Sequence, residues 1–213
     1  MKRMITLIAA LAVLGACGKG SGVLKAQLSA HAGSVRVNGS AVQNGQEIRY
    51  GDLIETGADS FCEIIIGEKN VLRVGKDSSF RYKVSPGDNT LELEKGWLGG
   101  ITRQKFTREG NYRIVTPTVT AGVRGTSYCI KVESGNSTYF CTCNGRIDLE
   151  GVDGKIRDTV QSAHHAARRF KTDEKGGVVI EDNPGLLYHD DAALEKLAGV
   201  IGETMNWEHV EGI

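Results

Sequence analysis

Two cysteines and three histidines in the second half of the chain have the residue types and spacing of a metal site. Cys141 and Cys143 are two residues apart on a predicted strand, so both thiols point to the same side. Thiolates combined with imidazoles favour a thiophilic transition metal such as zinc or iron. His164, His165 and His189 follow this strand and can supply the imidazoles. Adjacent residues of a strand face opposite ways, so only one of the two neighbouring histidines need be a ligand.

Disulfide formation and simple burial are the alternatives for the cysteines. A bridge between Cys141 and Cys143 is sterically poor, because residues two apart on a strand are badly placed for it. Cys129 lies on the preceding predicted strand, and a three-residue turn at 134–136 places it directly opposite Cys141, where a disulfide can form. A two-residue turn shifts that register by one residue. Cys62 is a further disulfide candidate, and buried cysteines also serve as small apolar side chains.

A thiol enzyme is a third interpretation, since a cysteine beside a histidine can act as a nucleophile. No orienting carboxylate, oxyanion loop, phosphate-binding loop or Ser-His-Asp arrangement is recognisable in the sequence. Basic and acidic residues balance at 26 each, so no basic surface for nucleic acid is expected. These observations favour a binding protein over an enzyme.

The N-terminus has the pattern of an exported protein. A basic start is followed by an apolar run that is too short to span a bilayer. The Leu-Gly-Ala-Cys sequence that ends this run resembles the lipobox of bacterial lipoproteins, which implies lipidation (palmitate among the acyl chains) of Cys17. We therefore expect a signal peptide at 1–16 and a lipidated, glycine-rich tether at 17–29. Gly18, rather than Asp, favours the outer membrane and a domain facing the periplasm.

Between residues 30 and 151 the chain is a series of short segments rich in β-branched and aromatic residues, separated by glycine turns. This pattern predicts a mainly β fold, a multi-stranded sandwich or roll. The composition changes afterwards, and residues 152–213 read as a small α/β extension. This extension has a short strand at 178–180 and one amphipathic helix at 192–201, with aspartates at its start.

A glycine corner lies within the stretch T-P-T-V-T-A-G-V-R-G-T. Gly122 and Gly125 bracket Arg124, and glycine permits a positive-φ turn there. We expect the arginine to be structural, bonded to its own backbone carbonyls or to an acid such as Asp52 or Glu55. Recognition of a ligand is the alternative role.

This stretch and two earlier motifs resemble the FecR domain. The earlier motifs are G-S-V-R-V-N-G from Gly33 and G-D-L-I-E-T-G from Gly51, followed by an aromatic strand at Phe80. All occur in the order of that family, and the resemblance implies an all-β cell-envelope module. FecR regulators proper also carry a cytoplasmic segment that contacts a sigma factor and a membrane-spanning helix. Neither is recognisable here, so no direct sigma factor contact is expected.

Together these features predict a lipid-anchored envelope protein with a FecR-type β domain at 30–151. We expect this domain to bind or scaffold an envelope partner, either a protein or a glycan. The alternative is a metal-binding lipoprotein that uses Cys141, Cys143 and the tail histidines. A thiol-dependent enzyme is the second alternative.

Overall fold

The computed structural model describes residues 22–107 and 110–212. The predicted signal peptide and Cys17 lie outside this part of the chain. Within it, no helix has the length and apolar character needed to cross a membrane. The described elements are, in chain order, β1 (Ala26–Ala32), β2 (Val35–Val37), β3 (Ser40–Ala41), β4 (Glu47–Ile48), β5 (Leu53–Thr56), β6 (Phe61–Ile66), β7 (Asn70–Val74), β8 (Ser79–Ser85), β9 (Asp88–Thr102), β10 (Tyr112–Val115), β11 (Val119–Val123), β12 (Ser127–Ser134), β13 (Ser137–Gly151), β14 (Arg157–Ser162), β15 (Ala166–Thr172), β16 (Val178–Asp182) and α1 (Asp191–Gly199).

The strands form two layers, which confirms the predicted mainly β architecture. The first sheet has the order β16-β15-β13-β12-β9-β7-β6-β1-β4. The second has the order β14-β13-β11-β10-β9-β8-β5-β2-β3. Apolar side chains of both sheets meet in one buried core. Only the pair of β9 and β10 is parallel among these strand pairs.

Two long strands, β9 and β13, belong to both sheets and join the layers. Each passes from one sheet to the other at a glycine with positive φ, Gly96 at 93° and Gly145 at 115°. Asn144 still pairs with β12 in the first sheet, whereas Gly145 pairs with β14 in the second. Glycine adopts this backbone conformation without the steric cost that other residues pay. The two glycines therefore set where the layers part.

The segment after residue 151 completes the same two sheets. β14 pairs with β13 in the second sheet, and β15 pairs with β13 in the first. The boundary expected after residue 151, between the β domain and the extension, therefore falls between β13 and β14, which are hydrogen-bonded to each other.

The predicted helix is present as α1, one residue earlier at its start and two residues earlier at its end. Leu194, Leu197 and Ala198 are its buried residues. They pack on the face of the first sheet that points away from the second sheet, against side chains such as Val71 and Ile101. The first sheet is therefore covered on both faces.

Only one of the two glycines of the predicted corner lies in a bend. Gly122 lies inside β11, paired with strands on both sides, and only Gly125 has a positive φ, 64°. Arg124 does bond to an acid, but this acid is Asp148, 3.5 Å away, because β13 and not β5 lies beside β11.

Candidate metal centre

Four side chains converge on the outer face of the first sheet. Cys141 and Cys143 project from β13, His165 from the bend between β14 and β15, and His189 from the segment before α1. One sulfur or nitrogen atom of each lies within 4.8 Å of the corresponding atom of every other. Both thiols are fully buried, and His165 is only 11% exposed.

Three of the distances among these atoms are close to those of a tetrahedral metal site. Cys141 Sγ lies 3.6 Å from His165 Nδ1, and Cys143 Sγ lies 3.2 Å from His189 Nε2. The two nitrogens are 3.3 Å apart. Zinc bonds of about 2.3 Å to sulfur and about 2.05 Å to nitrogen, at tetrahedral angles, separate S and N by roughly 3.6 Å and two N atoms by roughly 3.3 Å. The remaining separations are all within 4.8 Å, so the four atoms are near enough to share one ion.

Local backbone structure explains how these residues meet. Alternation along β13 directs both sulfurs to the same side, together with Tyr139. His165 has a positive φ of 53°, and its backbone N–H donates to the Cys143 carbonyl at 2.9 Å. This left-handed residue turns the chain back onto β13 and brings the imidazole to the thiols.

Hydrogen bonds on the far side of each imidazole select the tautomer. His165 Nε2 lies 2.7 Å from Asp191 Oδ1, and His189 Nδ1 lies 2.8 Å from the Leu187 carbonyl oxygen. A carbonyl and an ionised carboxylate only accept, so these ring nitrogens carry the protons. In the neutral imidazoles the lone pairs then sit on His165 Nδ1 and His189 Nε2, the atoms that a metal ion would bind. Protein metal sites commonly hold their histidines in this way. Without an ion, a proton on His165 Nδ1 can instead bond to the Cys141 thiolate, and although burial acts the other way, the hydrogen bonds to Cys141 and Asp191 raise the pKa of His165.

The electrostatics of the site favour one thiolate before any ion binds. A hydrogen bond from the Cys143 thiol, helped by His165 and His189, lowers the pKa of Cys141 despite its burial. Burial raises the pKa of Cys143, so its proton remains. Hydrogen bonds from the two neighbouring histidines lower the pKa of Asp191 and keep it ionised. A metal ion would replace the Cys143 proton, because only thiolates are good ligands.

Comparison with known proteins identifies the β domain. The family model described as FecR protein matches residues 52–148. This region is a FecR domain. No curated protein matches the chain.

Among solved structures, two crystal structures of a candidate anti-sigma factor from Parabacteroides distasonis ATCC 8503, at 1.65 and 2.50 Å resolution, are similar to the chain. Both share 11% identity with it. The first has a TM-score of 0.49 and covers 68% of this chain and 71% of its own; the second has a TM-score of 0.48 and covers 61% and 59%.

The candidate metal centre lies partly inside and partly outside the FecR match. Cys141 and Cys143 lie within residues 52–148, whereas His165 and His189 lie in the segment that follows. The FecR domain thus supplies both sulfurs, and the C-terminal segment supplies both nitrogens.

The other predicted site residues take different places. His164 lies outside the four-residue group, half exposed, with Nε2 3.1 Å from both Asp191 carboxylate oxygens. It lies in a bend rather than on a strand, so alternation does not decide between the two neighbouring histidines. Cys129 is directly opposite Cys141, the register that the longer turn predicts. In the part of the chain that the structure describes, the disulfide considered as an alternative is not formed: Cys62, Cys129, Cys141 and Cys143 are all free.

Sequence reasoning missed two residues around the site. Asp191 was read only as part of a helix start, yet its carboxylate contacts both neighbouring histidines. Its position two residues after His189 was the available signal. Trp207 packs on the imidazoles of His164 and His165, with ring centroids 4.8 and 5.2 Å apart, and nothing in the sequence indicated this contact.

Proposed function

We propose that this FecR-domain protein binds one thiophilic metal ion, of the zinc class, through Cys141, Cys143, His165 and His189. The observation that carries the proposal is the convergence of two sulfurs and two imidazole nitrogens within 4.8 Å of one another, three of the separations being close to tetrahedral values. Sulfur and imidazole donors favour zinc or iron over magnesium or calcium. Four protein ligands in a buried setting are typical of a structural ion rather than a catalytic one. We therefore propose a binding protein and not an enzyme.

Elemental analysis tests this proposal. The full chain, purified without chelator, should carry about one zinc or iron per molecule. The Cys141→Ser/Cys143→Ser double variant should carry none above the buffer background. Equal metal content in the two proteins, or none in either, would remove the proposal.

We further propose that the protein contacts a regulatory partner at the cell envelope. The FecR domain supports this coarser role, and a groove on the outer face of the second sheet favours it. This groove, of about 450 Å³, is called the Gly122 groove here. Its lining residues are Arg113, Thr120, Gly122, Asp148, Leu149, Glu150, Arg157, Asp158 and Thr159.

Gly122 has no conformational reason to be glycine. It lies in mid-strand, and a Cβ built there would meet nothing closer than 3.7 Å. Glycine inside a strand costs stability and often marks the close approach of another molecule. Arg113, directly paired with Gly122 across the strands, is exposed and has only the Thr90 hydroxyl, 3.5 Å away, as a described polar contact. An unpaired guanidinium beside an open glycine suits a carboxylate-bearing protein or glycan partner.

Site-specific crosslinking in cells tests the partner. A photoreactive residue at position 159, an exposed lining position that leaves Arg113 in place, should give a discrete adduct, and the same residue at position 136, in the exposed β12–β13 turn, should not. The Gly122→Val variant should lose the adduct. An adduct that persists in this variant, or that forms equally from position 136, would contradict the Gly122 groove.

Lipid anchoring through Cys17 remains part of the proposal, with the protein at the outer membrane and facing the periplasm. The sequence pattern alone supports it. In a bacterial host, Cys17→Ser should leave the precursor unlipidated and uncleaved. Maturation of this variant to the same product as the wild type would contradict the anchor.

A further inference from the structure

We propose that metal binding orders helix α1, and that the ion thereby controls whether the outer face of the first sheet is covered. The inference rests on the proposed metal site and adds a regulatory consequence to it. We base the inference on three consecutive residues before and at the start of α1. His189 is a proposed ligand, Asp190 is the N-cap of α1, and Asp191 contacts the imidazole of His165.

The start of α1 is bonded directly to the metal centre. Asp190 adopts an extended backbone, and its side chain accepts from the Ala193 N–H at 2.8 Å. An N-cap of this kind fixes where a helix begins. The residue before the cap would bind the ion, and the residue after it contacts a second proposed ligand, so a bound ion would fix the chain on both sides of the cap.

The helix has little stability of its own. It is nine residues long, and isolated helices shorter than about 12–15 residues are marginal in water. Its persistence therefore depends on docking. Docking buries Leu194 among Cys129, Tyr139 and both site cysteines, and buries Leu197 with Ala198 against the outer face of the same sheet.

The chain beyond α1 has contacts with the sheet that do not involve a proposed ligand, in addition to the packing of Trp207 on His165. The Asn144 side chain donates to the carbonyls of Asn206 and His209 and accepts from the Glu211 N–H. Arg103 also pairs with Glu211. These contacts hold the end of the described chain on the sheet when α1 is released. The helix thus behaves as a tethered cover, and its release exposes an apolar face that soluble proteins normally keep buried.

Hydrogen exchange of the full chain tests the inference. We expect the α1 amides to exchange at least tenfold faster after chelation than with zinc bound, while the amides of β9 and β12 keep their protection. Zinc content is measured on the same samples. Absence of zinc binding would remove the proposed function itself. Intact zinc binding with equal α1 exchange in both states would overturn only this inference.

If metal binding stabilises the docking of α1, then docking of α1 must strengthen metal binding to the same extent, because such coupling is reciprocal. A pair of variants tests this second direction. Leu197→Ala weakens docking without touching a ligand, so zinc affinity should fall by about 5–150-fold, the usual range of such coupling. Lys196→Ala changes a neighbouring exposed residue of the same helix and should leave the affinity unchanged. Equal affinities for Leu197→Ala and wild type would show that α1 docking and metal binding are independent.

Discussion

Replacing one site cysteine while keeping its neighbour gives the sharpest test of the metal centre. Cys143→Ser removes a proposed ligand, whereas Cys129→Ser removes a thiol of the same buried cluster that lies outside the four-ligand group. Both changes bury a hydroxyl in the same apolar surroundings. The two variants therefore share the chemical change and the cluster, and they differ in whether the altered side chain faces His189 Nε2.

The expected loss of affinity follows from the number of donors. Structural zinc sites in small domains bind with an apparent free energy of about 10–16 kcal/mol at neutral pH. One of four ligands accounts for roughly a quarter of this, about 2.5–4 kcal/mol, because a serine hydroxyl stays protonated and binds zinc poorly. At 1.4 kcal/mol for each factor of ten, Cys143→Ser should weaken zinc binding by about two to three orders of magnitude. Cys129→Ser should keep the wild-type affinity.

Competition with a chromophoric chelator measures the affinity, and chemical unfolding with and without zinc measures the linked stability. Without metal, Cys129→Ser should lose about 1–3 kcal/mol from its buried hydroxyl, and Cys143→Ser should lose no more than that, because its hydroxyl faces His189 Nε2. With zinc, only wild type and Cys129→Ser should gain stability. Equal zinc affinities for the two variants would refute the assignment of the ligands.

Three further predictions follow from other contacts. Asp191→Asn replaces the carboxylate that orients a ligand imidazole and should cost about 10–100-fold in zinc affinity, measured by the same competition. Although burial acts the other way, hydrogen bonds from its neighbours lower the pKa of Glu133. This residue therefore stabilises the fold above its unfolded pKa of about 4.3 and loses that effect as the pH falls; Glu133→Gln should flatten the unfolding free energy measured between about pH 5 and 3. A Cβ at Gly100 would overlap the Tyr128 ring, so Gly100→Ala should cost about 1–3 kcal/mol in chemical unfolding, whereas Gly122→Ala should cost nothing.

The cysteine pair was predictable because it depends only on local geometry. Any strand through residues 141 and 143 places both side chains on one face. The choice between His164 and His165 was not predictable, because it depends on the left-handed backbone conformation of His165. No residue type in the sequence indicates a bend at this position. The role of Asp191 was hidden for a similar reason, since its contacts join residues far apart in sequence.

The length of β13 is a second feature that the sequence pattern does not predict. Alternation predicts separate strands at 137–143 and 146–149, but the structure joins them as β13. Gly145 bends this strand from one sheet into the other without ending it. Periodicity along the chain cannot distinguish a bend of this kind from a turn. The covering of the first sheet by α1 likewise rests on contacts between distant residues, although the helix itself was predicted from its apolar spacing.

The proposed ligands are divided between β13 and the later segment, so they are synthesised at different times. A ribosome makes Cys141 and Cys143 before His165, and His189 and α1 later still. Folds dominated by long-range strand pairing form slowly, so the two thiols spend this interval open to solvent and to any oxidant. The residues synthesised last include His189, which brings the second imidazole, and α1, which covers the sulfurs. A chain interrupted before residue 189 would keep the strands of both sheets and display a bare pair of thiols on its surface.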